Sequence, residues 1–316
     1  MAQSALTIGV LGPSGMGGSH IVTELLSRSH RVVGMSRNPE KIGSHSRYEP
    51  RSVDLENASI QDIGIALRNL DVVICAYGPH SSGVDAMKYM PFLETLRKII
   101  LASKSAKVGY FIMIGGCGSL YLPGTNICAI DSPEFFLAYW RSMADSYAHV
   151  TYLEKRFGDG APRSDIRAYR SARAAQLEGR DTPEAEFVRE SHERRAREND
   201  HARPLITACR TSLMFFEGNT SFDWTFISPP AMYRSGRKMG KYQTTIDYIP
   251  LKGEQDGPGT LEGRLLGITT FDFAVAVADE AERRQFKGKH WSVWGELSDD
   301  EPAPSPYIKI SDLEDS

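Results

Sequence analysis

Seven consecutive residues, Gly12-Pro13-Ser14-Gly15-Met16-Gly17-Gly18, hold the strongest chemical signal in the chain. Glycines at 12, 15 and 18 permit a tight turn, admit a charged ligand close to the backbone, and let a following helix pack closely. Leu6 to Leu11 is an apolar run before them, and Ile21, Val22, Leu25 and Leu26 recur at helical spacing after them. The turn therefore joins a strand to the N-terminus of an amphipathic helix. N–H groups at such a terminus point at negative charge, so a pyrophosphate is the expected ligand, with Gly12, Ser14, Gly15 and Met16 as contacts.

The end of the second strand decides which dinucleotide. A carboxylate there would hold a ribose 2′-hydroxyl, and a basic group would accept a 2′-phosphate. The segment reads Met35-Ser36-Arg37-Asn38-Pro39, with no acid before Glu40. The planar guanidinium of Arg37 suits a phosphate, so NADP(H) is expected over NAD(H).

These residues need a frame. The first third of the chain alternates β-type and helix-type runs, so a Rossmann-type α/β fold with a doubly wound parallel sheet is expected. Strands are read at 6–11, 31–35, 48–53, 71–77, 108–114, 223–227, 241–249 and 291–294, and helices at 60–70, 84–103 and 271–283. Thr269-Thr270 caps the last helix. Residues 1–298 are read as a single NAD(P)-binding domain with a small interleaved substrate lobe from 119–153 and 229–268. Residues 154–204 mix basic and acidic groups and read as a solvated, partly mobile helical insertion, with a helix starting at Thr182-Pro183. The acidic, proline-bearing tail, 299–316, reads as flexible.

Composition excludes several classes. Thirty-seven Lys+Arg face 40 Asp+Glu, for a formal charge of −3, which gives no excess of positive charge for a nucleic acid or an anionic membrane. No apolar run approaches a membrane span, and no secretory pattern opens the sequence. Cys75, Cys117, Cys128 and Cys209 lack a C-x-x-C pairing, so no metal site is expected, and free thiols in a reducing, cytoplasmic compartment are. The 41% hydrophobic content suffices for a sizeable core. A monomer or homodimer is expected.

Further motifs align the chain with a family. Gly12-x-x-Gly15-x-x-Gly18, Ser36-Arg37-Asn38-Pro39, Val53-Asp54-Leu55, Ala76-Tyr77-Gly78-Pro79, Ile114-Gly115-Gly116-Cys117-Gly118-Ser119-Leu120 and Asp223 to Pro230 resemble the atypical short-chain dehydrogenase/reductases of the NmrA-like and biliverdin-reductase-B-like type. Gly236 to Tyr242 and the 269–283 helix extend the resemblance over most of residues 5–295. It implies that Asp54 and Leu55 contact the adenine, that Ala76, Tyr77 and Gly78 pass the ribose, and that Gly115, Gly116, Ser228 and Pro229 flank the nicotinamide.

The resemblance also exposes a gap. Mainstream members use Tyr-x-x-x-Lys, the lysine keeping the tyrosine hydroxyl ready to exchange a proton. Here Tyr147 is followed by Thr151, Tyr152 reaches Lys155 at three, Tyr233 meets Arg237, and Tyr248 reaches Lys252 at four only across Pro250, which excludes a helix. Ser119 and Tyr121, after the fifth strand, are the candidate catalytic hydroxyls. His80 is a candidate at the substrate, beside Phe135, Trp140 and Tyr233, whose bulk suits a flat or polycyclic molecule. Cys117 reads as a small residue beside the cofactor and not as a nucleophile.

Three functions compete. The first is an NADP(H)-dependent oxidoreductase acting on a carbonyl, imine or iminium of a hydrophobic, aromatic or polycyclic small molecule, including cofactor-assisted cyclisation in secondary metabolism. The alternative is a non-catalytic NADP(H)-binding redox sensor of the NmrA type, with the 181–202 segment as its partner surface. A nucleotide-sugar epimerase would need Tyr-x-x-x-Lys on a helix; here that spacing occurs only as Tyr248-Ile249-Pro250-Leu251-Lys252, where the proline excludes a helix, which argues against that class.

Overall fold

The computed structural model describes residues 5–78, 89–157, 165–198, 203–253, 261–299 and 304–312. Short apolar runs form the strands β1 (Thr7–Leu11), β2 (Arg31–Ser36), β3 (Tyr48–Ser52), β4 (Val72–Cys75), β5 (Phe111–Ile114) and β6 (Trp224–Ser228). Four more follow: β7 (Met232–Arg234), β8 (Gln243–Ile246), β9 (Gly267–Thr269) and β10 (His290–Trp294). Eight of them make one sheet in the order β3-β2-β1-β4-β5-β6-β10-β8, parallel except for β8. β1, β4 and β6 are buried along nearly their whole length, as strands covered on both faces must be. β7 and β9 pair separately, in parallel.

Helices cover both faces. α1 (Met16–Ser27) and α9 (Thr270–Arg283) pack together on one side. There Ile21, Val22, Leu25, Phe273 and Val277 are fully buried with Ile8 and Val10. α2 (Ile60–Ala66), α3 (Tyr89–Ser105) and α8 (Arg203–Ser212) cover the other. Thr269 caps α9 as the sequence demands, its hydroxyl accepting from the Asp272 N–H at 3.1 Å. Boundaries shift where backbone geometry intervenes: α2 stops at Ala66, with Asn69 left-handed at φ 61°, and β4 ends at Cys75. The start of the expected 84–103 helix lies outside the described residues.

The lobe holds α4 (Pro133–Asp145), α5 (Tyr147–Phe157), α6 (Ile166–Leu177) and α7 (Pro183–Glu198). The segment expected to be solvated and partly mobile is instead, in α6 and α7, a packed pair against α4. Ile166, Tyr169, Ala172 and Ala196 are a buried stripe that the surrounding charges hide in the sequence. Its buried charges are paired: Arg173 Nε to Asp145 at 2.7 Å, and Arg141 Nη2 to Glu193 at 2.7 Å. The tail expected to be flexible lies against the body over 304–312, because Ile310 is fully buried beside α1 and the Ile308 N–H donates to Ser19 Oγ at 3.3 Å.

Candidate dinucleotide cleft

β1 is flanked by β2 and β4, so the chain departs to opposite sides of it, and a crevice opens at its carboxyl end. Gly12 leaves β1 at φ +80°, and a Cβ there would lie 3.0 Å from the Ala76 carbonyl. At Gly18 a Cβ would sit 2.0 Å from the Gly12 carbonyl, so the helix can rest on the turn only without a side chain. Gly15 is the N-cap of α1, whose first turn carries no acidic residue. The positive end of the helix dipole is thus unopposed by its own chain.

A cleft of about 260 Å³ is lined by Gly12, Ser14, Gly15, Ser36, Arg37, Val53, Asp54, Leu55, Glu56, Ala76, Tyr77 and Gly78. The structure therefore gathers the expected turn, the expected 2′-end and the expected adenine and ribose contacts around one space. Met16, the remaining turn residue, points away into the lobe core. Asp54 organises its own loop: its carboxylate accepts from Asn57 Nδ2 at 2.8 Å and from the Glu56 N–H at 3.2 Å. Those bonds, led by Asn57 and assisted by the Arg37 charge, hold it below its usual range. Tyr77 donates to Glu56 at 2.8 Å, which fixes the far wall.

These residues fit a dinucleotide. Ser36 Oγ is buried on the cleft wall without a hydrogen-bond partner, which leaves a polar atom for a ligand to satisfy. Arg37 is exposed at the rim, its carbonyl tied to Ser52 Oγ at 3.2 Å.

At the other end, Gly115 and Gly116 follow β5, but neighbours already demand glycine there. A Cβ would lie 2.0 Å from the Phe226 ring at 115 and 3.0 Å from Cys209 at 116. Ser228 ends β6 fully buried, and Pro229 is half-buried after it. Ser119 is also fully buried. Its hydroxyl donates to the Gly116 carbonyl at 2.7 Å and lies 2.9 Å from Ser228 Oγ, which in turn is 3.0 Å from His290 Nε2. Asp247 Oδ1 stands 3.4 Å from His290 Nδ1 but is too poorly aligned to bond it. No motif marks His290; the parallel pairing of β10 with β6 delivers it.

Tyr121 bonds through its backbone to Asp247 and Ile249, and lines neither the cleft nor the Ser119 cluster. Burial pushes the Cys117 thiol up to about 12, so it stays protonated. Phe135 and Trp140 do not face the cleft. They are lobe core, Phe135 stacked on Tyr139 and Trp140 set edge-on to His192, because the packed α6–α7 pair requires an apolar partner. His80 lies outside the described residues.

A group the sequence reading passed over sits beside the turn. Tyr152 is buried on α5 and donates to Met16 Sδ at 2.6 Å, while Arg156 Nη1 donates to the Tyr152 oxygen at 2.6 Å. The pair is Tyr-x-x-x-Arg. Admitting a guanidinium where the family pattern has an ammonium would have found it. Tyr233 joins them: its hydroxyl is buried, 3.3 Å from where a Gly17 Cβ would be.

Residues 12–156 match the family model described as NAD(P)H-binding. No curated protein matches the sequence. Among solved structures, a "putative epimerase" from Bacteroides thetaiotaomicron is similar at 20% identity and TM-score 0.62, covering 93% of this chain and 99% of that one. A "putative NADH-flavin reductase" from Streptococcus pneumoniae is similar at 19% identity and TM-score 0.55, over 92% and 100%. A short-chain dehydrogenase/reductase from Veillonella parvula is similar at 13% and TM-score 0.50, over 96% and 99%. At these identities the likeness shows the Rossmann-type fold. No helix among the described residues is long and apolar enough to cross a membrane. Residues 12–156 thus carry the likeness to the NAD(P)H-binding family, and the whole chain carries the likeness to the Rossmann-type fold.

Proposed function

We propose that this protein is an NADP(H)-dependent oxidoreductase that reduces an electrophilic carbon of a hydrophobic small molecule, with Tyr152 as the proton donor. The observation that supports this most is a continuous path of contacts. The cleft holds Gly12, Ser14, Gly15 and Arg37, and the next residue of the turn, Met16, the first of α1, reaches to the lobe side and touches the Tyr152 hydroxyl.

The bound nicotinamide would supply the hydride from its C4. The residues present do the rest. Gly12, Ser14 and Gly15 hold the pyrophosphate at the start of α1, and Arg37 pairs with the 2′-phosphate. Tyr152 turns from Met16 Sδ to the substrate oxygen and releases its phenolic proton there as the carbonyl carbon is reduced. Arg156 stabilises the phenolate left behind, since a neighbouring cation favours the charged form. An iminium substrate would need no such proton. The lobe core to which Met16 belongs is apolar, with Leu120, Leu153 and Met232 among its members, which favours an apolar substrate. Four free cysteines suit a reducing compartment, in keeping with a cytoplasmic protein.

The test is NADPH oxidation against a panel of aromatic carbonyls, imines and quinones. Turnover with one of them, preferring NADPH to NADH, is expected. Calorimetry that registers no heat with either coenzyme would overturn the reading.

A further inference from the structure

We propose a second ligand site, for a small oxyanion carried as a phosphoryl or carboxylate group, in the cavity between Arg234 and the first turn of α9. This cavity of about 300 Å³ is lined by Arg234, Gly236, Arg237, Thr269 and Glu296 among others, and it shares no lining residue with the dinucleotide cleft.

Arg234 carries the argument. Its side chain is 3% exposed, yet its hydrogen bonds go only to neutral carbonyls, Nη1 to Ser235 at 3.0 Å and Nη2 to Ser298 at 2.5 Å. Nε is buried without a partner. Among the described residues the nearest carboxylate oxygen, of Asp299, stands 4.0 Å away. That carboxylate is already engaged by the Tyr147 N–H at 2.9 Å, the Ala148 N–H at 3.1 Å and Ser146 Oγ at 2.5 Å. A guanidinium taken out of water normally has a close counter-charge, and among the described residues this one has only the Asp299 carboxylate, at the outer limit of an ion pair. Burial accordingly holds its pKa below the ordinary value, with Asp299 opposing weakly.

Register supplies the rest of the site. β7 pairs with β9 so that Arg234 faces Thr269, the N-cap of the 14-residue α9. Gly236 lies against both; a Cβ there would be 2.6 Å from Thr269 Cγ2 and 3.5 Å from Arg234 Nη1. A fork-shaped donor and an exposed second guanidinium at Arg237 thus border one space beside the N-cap of α9, while the first-turn carboxylate of Asp272 is engaged by the Met239 and Gly240 N–H groups at 2.9 and 2.7 Å. Glu296 is the carboxylate on its exposed rim. Arg234 also borders a neighbouring cavity of about 470 Å³, but there Asp145 and Asp299 line the wall, which disfavours an anion.

Titrating the full chain with inorganic phosphate, and separately with acetate, at constant ionic strength tests this by calorimetry. Saturable 1:1 binding of either anion is expected, unchanged in Arg37→Ala and weakened at least tenfold in Arg234→Gln. Arg237→Glu, on the rim, gives the same loss and decides the matter should the buried variant not fold. Absence of saturable binding, wild-type affinity in both Arg234→Gln and Arg237→Glu, or loss of binding in Arg37→Ala would overturn the proposal; the last would place the anion in the dinucleotide cleft.

Discussion

Arg156 Nη1 lies 2.6 Å from the hydroxyl oxygen of Tyr152, one helical turn earlier on α5, and that hydroxyl in turn rests 2.6 Å from the sulfur of Met16. A residue of the glycine turn, a phenol and a half-buried cation thus form one line of contacts. Tyr152→Phe should lower kcat for a carbonyl substrate by about 10²- to 10⁴-fold, the usual worth of a positioned acid, with NADPH affinity unchanged. Arg156→Lys should retain more activity than Arg156→Met, and steady-state kinetics will separate kcat from KM. Equal kcat in wild type and Tyr152→Phe would remove the tyrosine from the chemistry.

Arg37 is exposed and faces the cleft from the end of β2, where the sequence offers no acid. A hydrogen bond to a charged group contributes about 1.5–3 kcal/mol, so Arg37→Ala should weaken NADPH by roughly 10- to 150-fold. NADH affinity should stay the same. Calorimetry with both coenzymes checks the ratio.

Gly18 has no room for a side chain, since its Cβ would meet the Gly12 carbonyl at 2.0 Å. Gly18→Ala must push the turn off the helix. A loss of about 1–3 kcal/mol in urea unfolding is expected, with coenzyme binding weakened in parallel. Full stability in the variant would show that the turn can relax without cost.

His20 is buried on α1, its Nδ1 2.8 Å from the Met16 carbonyl and its ring edge-on to Phe271. Burial lowers its pKa to about 4, against the hydrogen bond to Met16. The folded chain keeps it neutral, while the unfolded chain takes up a proton near pH 6.5. The benefit is therefore full above pH 6.5 and is lost as pH falls from there to 4, by ~3 kcal/mol. Denaturant titrations across that range should show the slope in wild type and a shallower one in His20→Leu.

The parallel sheet was legible because β1, β4 and β6 bury both faces and their sequences are correspondingly unbroken in apolar character. The cleft was legible for a different reason: its contacts are local to strand ends, where Gly12, Arg37 and Asp54 each follow a recognisable run. What the sequence concealed depends on distant pairing. His290 meets Ser228 only because β10 lies beside β6, and the α6–α7 stripe is visible only once alternating charges are seen to pair inward with Arg141 and Asp145. Trp140 is core for the same reason, since His192 of α7 meets it edge-on, while Phe135 stacks on Tyr139 of its own helix.

The outer side of α1 is closed by α9 and by residues 304–312, and Arg28 reaches Asp279 at 2.7 Å across the intervening sequence. A nascent chain therefore exposes Ile21, Val22 and Leu25 until nearly all of it has left the ribosome. Assembly governed by such distant partners is slow, and emerging fragments of this protein should be natural clients of chaperones.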